Sequence, residues 1–445
     1  MRFSATRRLR LRWALAALAA CSLAVTACSA GSLGSSEGEK GKVALTLLVG
    51  NVEQNVKPTQ QLVADFQAAN PDITIKVEIG PAGTEGDNLV KTRLATGEMN
   101  DLFVYNSGSL FQAINPQKNL APITGEGFLS NVEDSFKPNV KAGNDVYGVP
   151  LGPALGGGVL YNRPVYDRLG LQIPKTWSEF MANNAKVKAA GITPVIQTYQ
   201  DTWTSQLFVL ADFHNVAAAE PDFTQRYTNN QAKYATSPAA IKGFERLQEV
   251  HDAGYLNKDF ASAKLDDGLR MVATGKGAHY PMLTALVGQM VANVPEAAKD
   301  VGFFAQPGDD PAKNGMTTWY PLGMYIAKTA TGAKLDAAKK FLGFIASTAG
   351  CDSQTKAITP TGPYLVKDCT LPSDLPQVVK DLTGYIQTPG ASSPALEFLS
   401  PIKGPNLENI TVEVGSGIRP AKAGATAYDE DVKKQAQQLG LPGWS

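Results

Sequence analysis

The chain has 445 residues, with 41 Lys and Arg against 41 Asp and Glu, so its formal net charge is zero. Removing the first 27 residues takes away Arg2, Arg7, Arg8, Arg10 and Arg12 and no acid, which leaves 36 basic against 41 acidic side chains, a net charge of −5. That balance argues against nucleic acid, which needs a concentrated basic surface, and the length exceeds what one hydrophobic core holds, which points to two domains.

The first 28 residues read as an export signal. The five arginines form a charged start, Trp13–Ala20 an apolar run, and Ser22–Ala27 a small-residue approach to a cut site. The apolar run falls short of the roughly 20 apolar residues a membrane-spanning helix needs. Val25-Thr26-Ala27-Cys28 resembles a bacterial lipobox. Residues 1–27 are therefore expected to be a signal peptide, and Cys28 the lipidated residue that anchors the exported chain to the outer face of the cell membrane. Leu18-Ala19-Ala20-Cys21 fits the same pattern after a shorter apolar core, which leaves Cys21 as the alternative. Residues 28–42, rich in Gly, Ser, Glu and Lys, are expected to form a flexible tether.

Val43–Val49 is a continuous apolar run ending at Gly50, a buried strand. Pro58–Asn70 places Leu62, Val63, Phe66 and Ala69 on one face, a helix stopped at Asn70-Pro71. Ile73–Ile79 alternates as a half-buried strand, Asp87–Thr96 reads as a helix capped by Gly97, and Asp101–Tyr105 as a third strand. Strand, helix, strand, helix, strand implies a parallel sheet in an α/β domain. Gly157–Tyr161 is a further strand, and Pro164–Leu169 a short helix. Thr176-Trp177-Ser178-Glu179 forms a capping box that opens a helix to Gly191. Pro194–Ile196 is a short strand. Helices are expected from Ser237-Pro238 to near Gly254, over Asp336–Ile345, and over Tyr428–Leu439. Cys351 and Cys369 read as one disulfide closing a local loop of an exported domain. Neither has a His or Cys at ligand spacing, so no metal is expected.

Catalytic signatures fail on context. Gly34-Ser35-Ser36-Glu37-Gly38 matches a nucleophile-elbow formula but lies in the tether, with no strand before it and no helix after it. Ala273-Thr274-Gly275-Lys276-Gly277 resembles half a phosphate loop, yet Gly277 stands where the magnesium-holding hydroxyl belongs. His214, His251 and His279 show no zinc-helix spacing. No catalytic residue and no cofactor are assigned. Aromatic and amide residues do gather at predicted strand ends: Asn51 and Glu53 after the first strand, Tyr105, Asn106 and Ser107 at the end of the third. Asp201 and Trp203 follow Ile196, and Trp319 and Tyr320 precede the apolar run Leu322–Ala327. In open α/β sheets ligands collect beyond the carboxyl ends of strands. Ring faces cover sugar C–H patches while amides and carboxylates pair hydroxyls. These nine residues are the candidate ligand contacts, with Tyr105 and Trp203 expected on opposite sides.

Phe66–Ile73 resembles the "F…NP.I.V" opening of extracellular solute-binding proteins of the maltose-binding type. Leu94–Gly97 with Asn100–Phe103 resembles its "LA.G..PDLF". Tyr147–Pro150 with Leu160–Asn162 resembles "YG.P…YN", and Gly170–Phe180 with Ala190–Pro194 resembles "GL..P.TW.EF…GI.P". Ala273–Ala278 resembles "F..GKAAM", and Ala337–Leu342 resembles "AA..FL". The resemblance spans residues 43–440. It implies a two-lobed periplasmic-binding-protein-like α/β fold, each lobe a mixed sheet flanked by helices, with the ligand in the cleft between lobes. The first lobe is expected to hold residues 43–150 and 283–330, the second 151–282 and 331–445, with crossings near 150, 282 and 330. It also implies a mono- or oligosaccharide ligand, the permease of an ABC importer as partner, a monomer, and no enzymatic activity. Asn100 departs from the family Pro, and His279–Thr284 lacks the family's cleft Trp. A sensory or adhesion lipoprotein on the same fold, or an anchored hydrolase, is the alternative.

Overall fold

The computed structural model describes residues 42–444. The expected signal peptide and the Cys28 and Cys21 lipidation sites lie outside the described residues. Among the described residues no helix is long and apolar enough to cross a membrane.

Two mixed sheets organise these residues. In the first, Val43–Gly50 is flanked by Ile73–Gly80 and Leu102–Tyr105, both parallel to it. Leu322–Ile326 then joins antiparallel beside Leu102–Tyr105, and Gly148–Leu151 closes the far edge, also antiparallel. The parallel part is what strand–helix–strand connectivity dictates, because the crossover helix returns the chain to the same end of the sheet. The helix Glu53–Ala69 supplies that return and buries Leu62, Val63 and Phe66. It begins five residues before Pro58, the expected start. In the second sheet the long strand Leu155–Asn162 pairs antiparallel with Gly277–Leu283, Val301–Ala305 and Met316–Trp319. Thr193–Val195 lies parallel to Gly277–Leu283, and Ser392–Pro394 parallel to Met316–Trp319.

Each sheet has its own core. Phe66, Phe103, Phe111 and Tyr325 pack under the first, together with Phe341 and Ile345 of the helix Ala333–Ile345. Phe180, Phe208, Phe244 and Tyr428 belong to the second, with the helices Lys242–Asp252 and Ala421–Gln438. The capping box forms as read: Thr176 Oγ1 accepts from Glu179 N–H at 3.3 Å, and Glu179 Oε2 accepts from Thr176 N–H at 3.0 Å.

The sheet assignments correct the expected lobe boundaries. The chain passes from the first sheet to the second at Gly152–Ala154 and back at Tyr320-Pro321. It does not cross near 282, because Gly277–Leu283 sits inside the second sheet and the following helices Val287–Asn293 and Ala297–Asp300 stay with it. Nor does it cross near 330. Ala333–Ile345 and Thr348–Ala357 pack on the first lobe, and the next crossing precedes the helix Gln377–Gln387, which packs on Val301–Ala305. The apolar positions at 337, 341 and 345 show that a helix buries one face. They do not show which sheet that face meets.

Candidate functional site

A cleft of about 260 Å³ lies where the two sheets meet. Its walls come from both. Asn106 and Ser107 follow the strand Leu102–Tyr105 of the first sheet, and Trp319 ends the strand Met316–Trp319 of the second. The helix start contributes Gln54 and Asn55, and the segment after Ser392–Pro394 contributes Glu397, Phe398 and Lys403.

Trp319 is the central aromatic. It is 7% exposed, and its ring packs on Gly157, where a β-carbon would stand 2.2 Å from a ring carbon. Its Nε1–H donates to Glu397 Oε1 at 2.5 Å, while Lys403 Nζ lies 2.8 Å from Glu397 Oε2. The bare run Gly156-Gly157-Gly158 thus makes room for neighbouring side chains and, at Gly158, for the Phe304 backbone carbonyl. Met316 and Phe303 approach the two glycines beside Gly157 as Trp319 approaches the middle one. Tyr320 stands edge-on to Phe398 with ring centroids 5.1 Å apart and edge-on to Phe136 at 6.5 Å. Burial raises its phenol above the ordinary range. Phe398 in turn rests against Gly108, whose φ of 72° and close neighbours require the absence of a side chain.

The polar wall is held from behind. Ser107 Oγ donates to the Pro321 carbonyl at 2.8 Å, and Tyr325 OH donates to the Asn106 carbonyl at 2.9 Å. The Asn106 side-chain amide makes no hydrogen bond among the described residues, so its donors and acceptor face the cleft unspent. Gln354 Oε1 accepts from Gly152 N–H at 2.8 Å, and Tyr364 OH pairs with Thr355 Oγ1 at 2.9 Å. The lining carries two charged side chains, Glu397 and Lys403, and they neutralise each other.

Four expected contacts, Asn106, Ser107, Trp319 and Tyr320, therefore line the cleft together. Five do not. Asn51 is exposed, and its N–H is spent on the Gly80 carbonyl at 2.9 Å. Glu53 is exposed in the first turn of its helix and pairs with Lys57 at 2.5 Å. Tyr105 is 5% exposed, and its hydroxyl donates to Asp87 of the helix Gly83–Thr96 instead of lining the cleft. Asp201 Oδ2 accepts from Leu265 N–H at 2.7 Å, which ties it to the start of the helix Leu265–Ala273. Trp203 is half-buried against Leu207 and against the cluster of Leu269 and Met282, outside the lining. The expectation that Tyr105 and Trp203 oppose each other across the cleft is therefore not met. Sequence reasoning missed Asn55, Phe398 and the run Ile358–Thr361, the last of which a scan for Pro- and Thr-rich loops between helices would have raised. Among the described residues no cluster of His, Cys, Asp and Glu could hold a metal.

The chain is similar to two sugar-binding proteins. It is 26% identical over 268 residues to the multiple sugar-binding protein of Streptococcus mutans, spanning 58% of this chain and 60% of that relative's length. It is 24% identical over 317 residues to the melibiose/raffinose/stachyose-binding protein of Bacillus subtilis, spanning 69% of this chain and 71% of the relative. Among solved structures, a chitin oligosaccharide binding protein superposes with a TM-score of 0.77 at 20% identity over 89% of this chain and 99% of its own. A raffinose complex of a binding protein gives 0.72 at 19% identity over 89% of this chain and all of its own. These structures share the two-lobed fold. The sequence profile of the bacterial extracellular solute-binding protein family matches residues 50–350, and the chain belongs to that family.

Proposed function

We propose that this protein is the carbohydrate-binding receptor of an ABC importer, taking a mono- or oligosaccharide into the cleft and presenting it to the membrane permease. Cys28 lipidation would hold it at the outer face of the membrane. One observation carries the ligand class: the cleft joins aromatic surfaces, amides and hydroxyls, and its two charged side chains are already paired with each other. Such a site offers no net charge to an amino acid, a phosphate ester or a peptide terminus. It suits a neutral polyhydroxylated molecule, whose C–H faces cover rings while its hydroxyls pair amides. The sugar-binding relatives support the same reading.

Trp319 and Tyr320 are the proposed stacking surfaces, with Asn106, Asn55, Thr359 and Thr361 pairing hydroxyls. The test is a thermal-shift and calorimetric screen of the exported chain against neutral sugars, amino acids and sugar phosphates. A neutral sugar should raise the unfolding midpoint, since a ligand that binds only the folded state stabilises it by mass action. Shifts with amino acids or phosphates and none with any neutral sugar would overturn the reading.

A further inference from the structure

The crossing Gly152–Ala154, between the first sheet and the second, is held by the end of the helix Thr348–Ala357 and the loop that follows it. Gly152 N–H donates to Gln354 Oε1 at 2.8 Å, and Ala154 N–H donates to the Pro363 carbonyl at 2.8 Å. Pro153 forms a β-bridge with Tyr364. Gly362 lies so near that a β-carbon there would stand 2.0 Å from the Ala154 oxygen. The same loop lines the cleft through Gln354, Ile358, Thr359, Thr361 and Tyr364.

This stretch of chain is closed by the Cys351–Cys369 disulfide, with Cα atoms 6.1 Å apart and a sequence separation of 18. The bond sits in its own small cluster with Tyr364, Val366 and Leu371. Just before Cys369 the loop touches the first lobe by a short pairing, in which Lys367 N–H donates to Asn131 O at 2.7 Å and Glu133 N–H to Leu365 O at 3.0 Å. Between Cys351 and these contacts the helix Thr348–Ala357 is itself fixed to the first lobe, packing on Glu53–Ala69 with Ser353 Oγ donating to Asp65 Oδ2 at 2.6 Å, so the freedom the disulfide limits lies in the segment after the helix, which meets the crossing at Gly362 and Tyr364.

We infer that the Cys351–Cys369 disulfide positions the ligand site: by holding the loop against Gly152–Ala154 it sets one wall of the cleft and the crossing between the lobes at once. With the bond open, the loop regains freedom that ligand binding must remove again, so affinity falls even where the fold persists. Cys351 and Cys369 are positioning residues in this scheme, and its binding arm rests on the cleft reading above.

The experiment compares the oxidised exported chain with the Cys351→Ser/Cys369→Ser variant and with wild type reduced by a phosphine, at a temperature where all are folded. Hydrogen exchange at the Gly152 and Ala154 amides should quicken roughly ten-fold in both open forms, with the amides of Val43–Gly50 unchanged. The Kd for raffinose should rise roughly five-fold or more. The inference is overturned if exchange at both amides is unchanged while the unfolding midpoint falls, the signature of a merely stabilising tie. It is also overturned if raffinose binds all forms alike. If raffinose does not bind the oxidised wild type, the exchange arm, which needs no ligand, decides alone.

Discussion

Trp319, the proposed stacking residue, is held rigidly by its neighbours. Gly157 seats its ring and Glu397 fixes its Nε1–H, so its orientation is set before anything binds. If the proposed cleft is the site, Trp319→Ala should raise the Kd of a neutral sugar that the screen identifies by an amount equivalent to roughly 1–3 kcal/mol in calorimetric titration. Trp203→Ala should leave that Kd alone and lower stability by about 2 kcal/mol in urea unfolding, since it removes packing and not a contact. The reverse pattern would return the site to Trp203. His279 makes a separate point. Its Nδ1 lies 2.8 Å from Asn184 Oδ1, its Nε2 2.7 Å from Tyr166 OH, and burial pulls the imidazole down to about 3. The unfolded chain takes up this proton near 6.5. Stability from His279 is therefore complete above about 6.5 and is lost as pH falls toward about 3, at about 1.4 kcal/mol per pH unit. Asp212, which burial raises to about 6, works in the opposite direction up to that value. The difference between wild type and His279→Gln in urea titrations at several pH values isolates the imidazole. Equal pH dependence in the two proteins would refute its buried neutral state.

Elements were legible where local chemistry alone defines them. The capping box at Thr176 needs only a hydroxyl and a carboxylate three residues apart. Thr176→Ala should cost about 1 kcal/mol in denaturant unfolding without changing ligand affinity. A loss under a few tenths of that would mean the helix Trp177–Ala189 is held by packing alone. The strand Ile73–Gly80 was likewise plain from its alternation, which one buried face imposes. Gly277–Leu283 was not read as a strand. It carries His279 and Pro281, and it is buried along most of its length, so no alternation survives. Pro281 is tolerated because the partner Thr193–Val195 reaches only as far as His279, which leaves no strand to need its missing N–H. The start of the first helix also escaped, since Pro58 reads as a first-turn residue and here lies within Glu53–Ala69.

The molecule as a whole places a site without net charge inside a chain of nearly balanced charge. Binding governed by stacking and hydrogen bonds should be nearly insensitive to salt. The Kd of a neutral sugar that binds the proposed cleft should change by less than about two-fold between roughly 50 and 500 mM NaCl, because screening acts on unpaired charges. A steep salt dependence in the same titration would show that the Glu397–Lys403 pair opens when the sugar binds.

The sequence by itself determined the α/β class, most of the first-lobe strands and helices, and the family motifs from Phe66 to Leu342. These follow from periodicity, capping and short local patterns, which act within about a dozen residues. It also named four residues that meet in the cleft. Tertiary structure alone decided where the chain crosses between sheets and which strand-end residues face the cleft. Tyr105 and Asn106 are neighbours in sequence, yet one is buried against Asp87 and the other lines the cleft. Gln354, Phe398 and Lys403 reach the cleft only because helices and strands far apart in sequence pack together. No local pattern encodes that meeting, since it depends on which buried faces the two sheets present to each other.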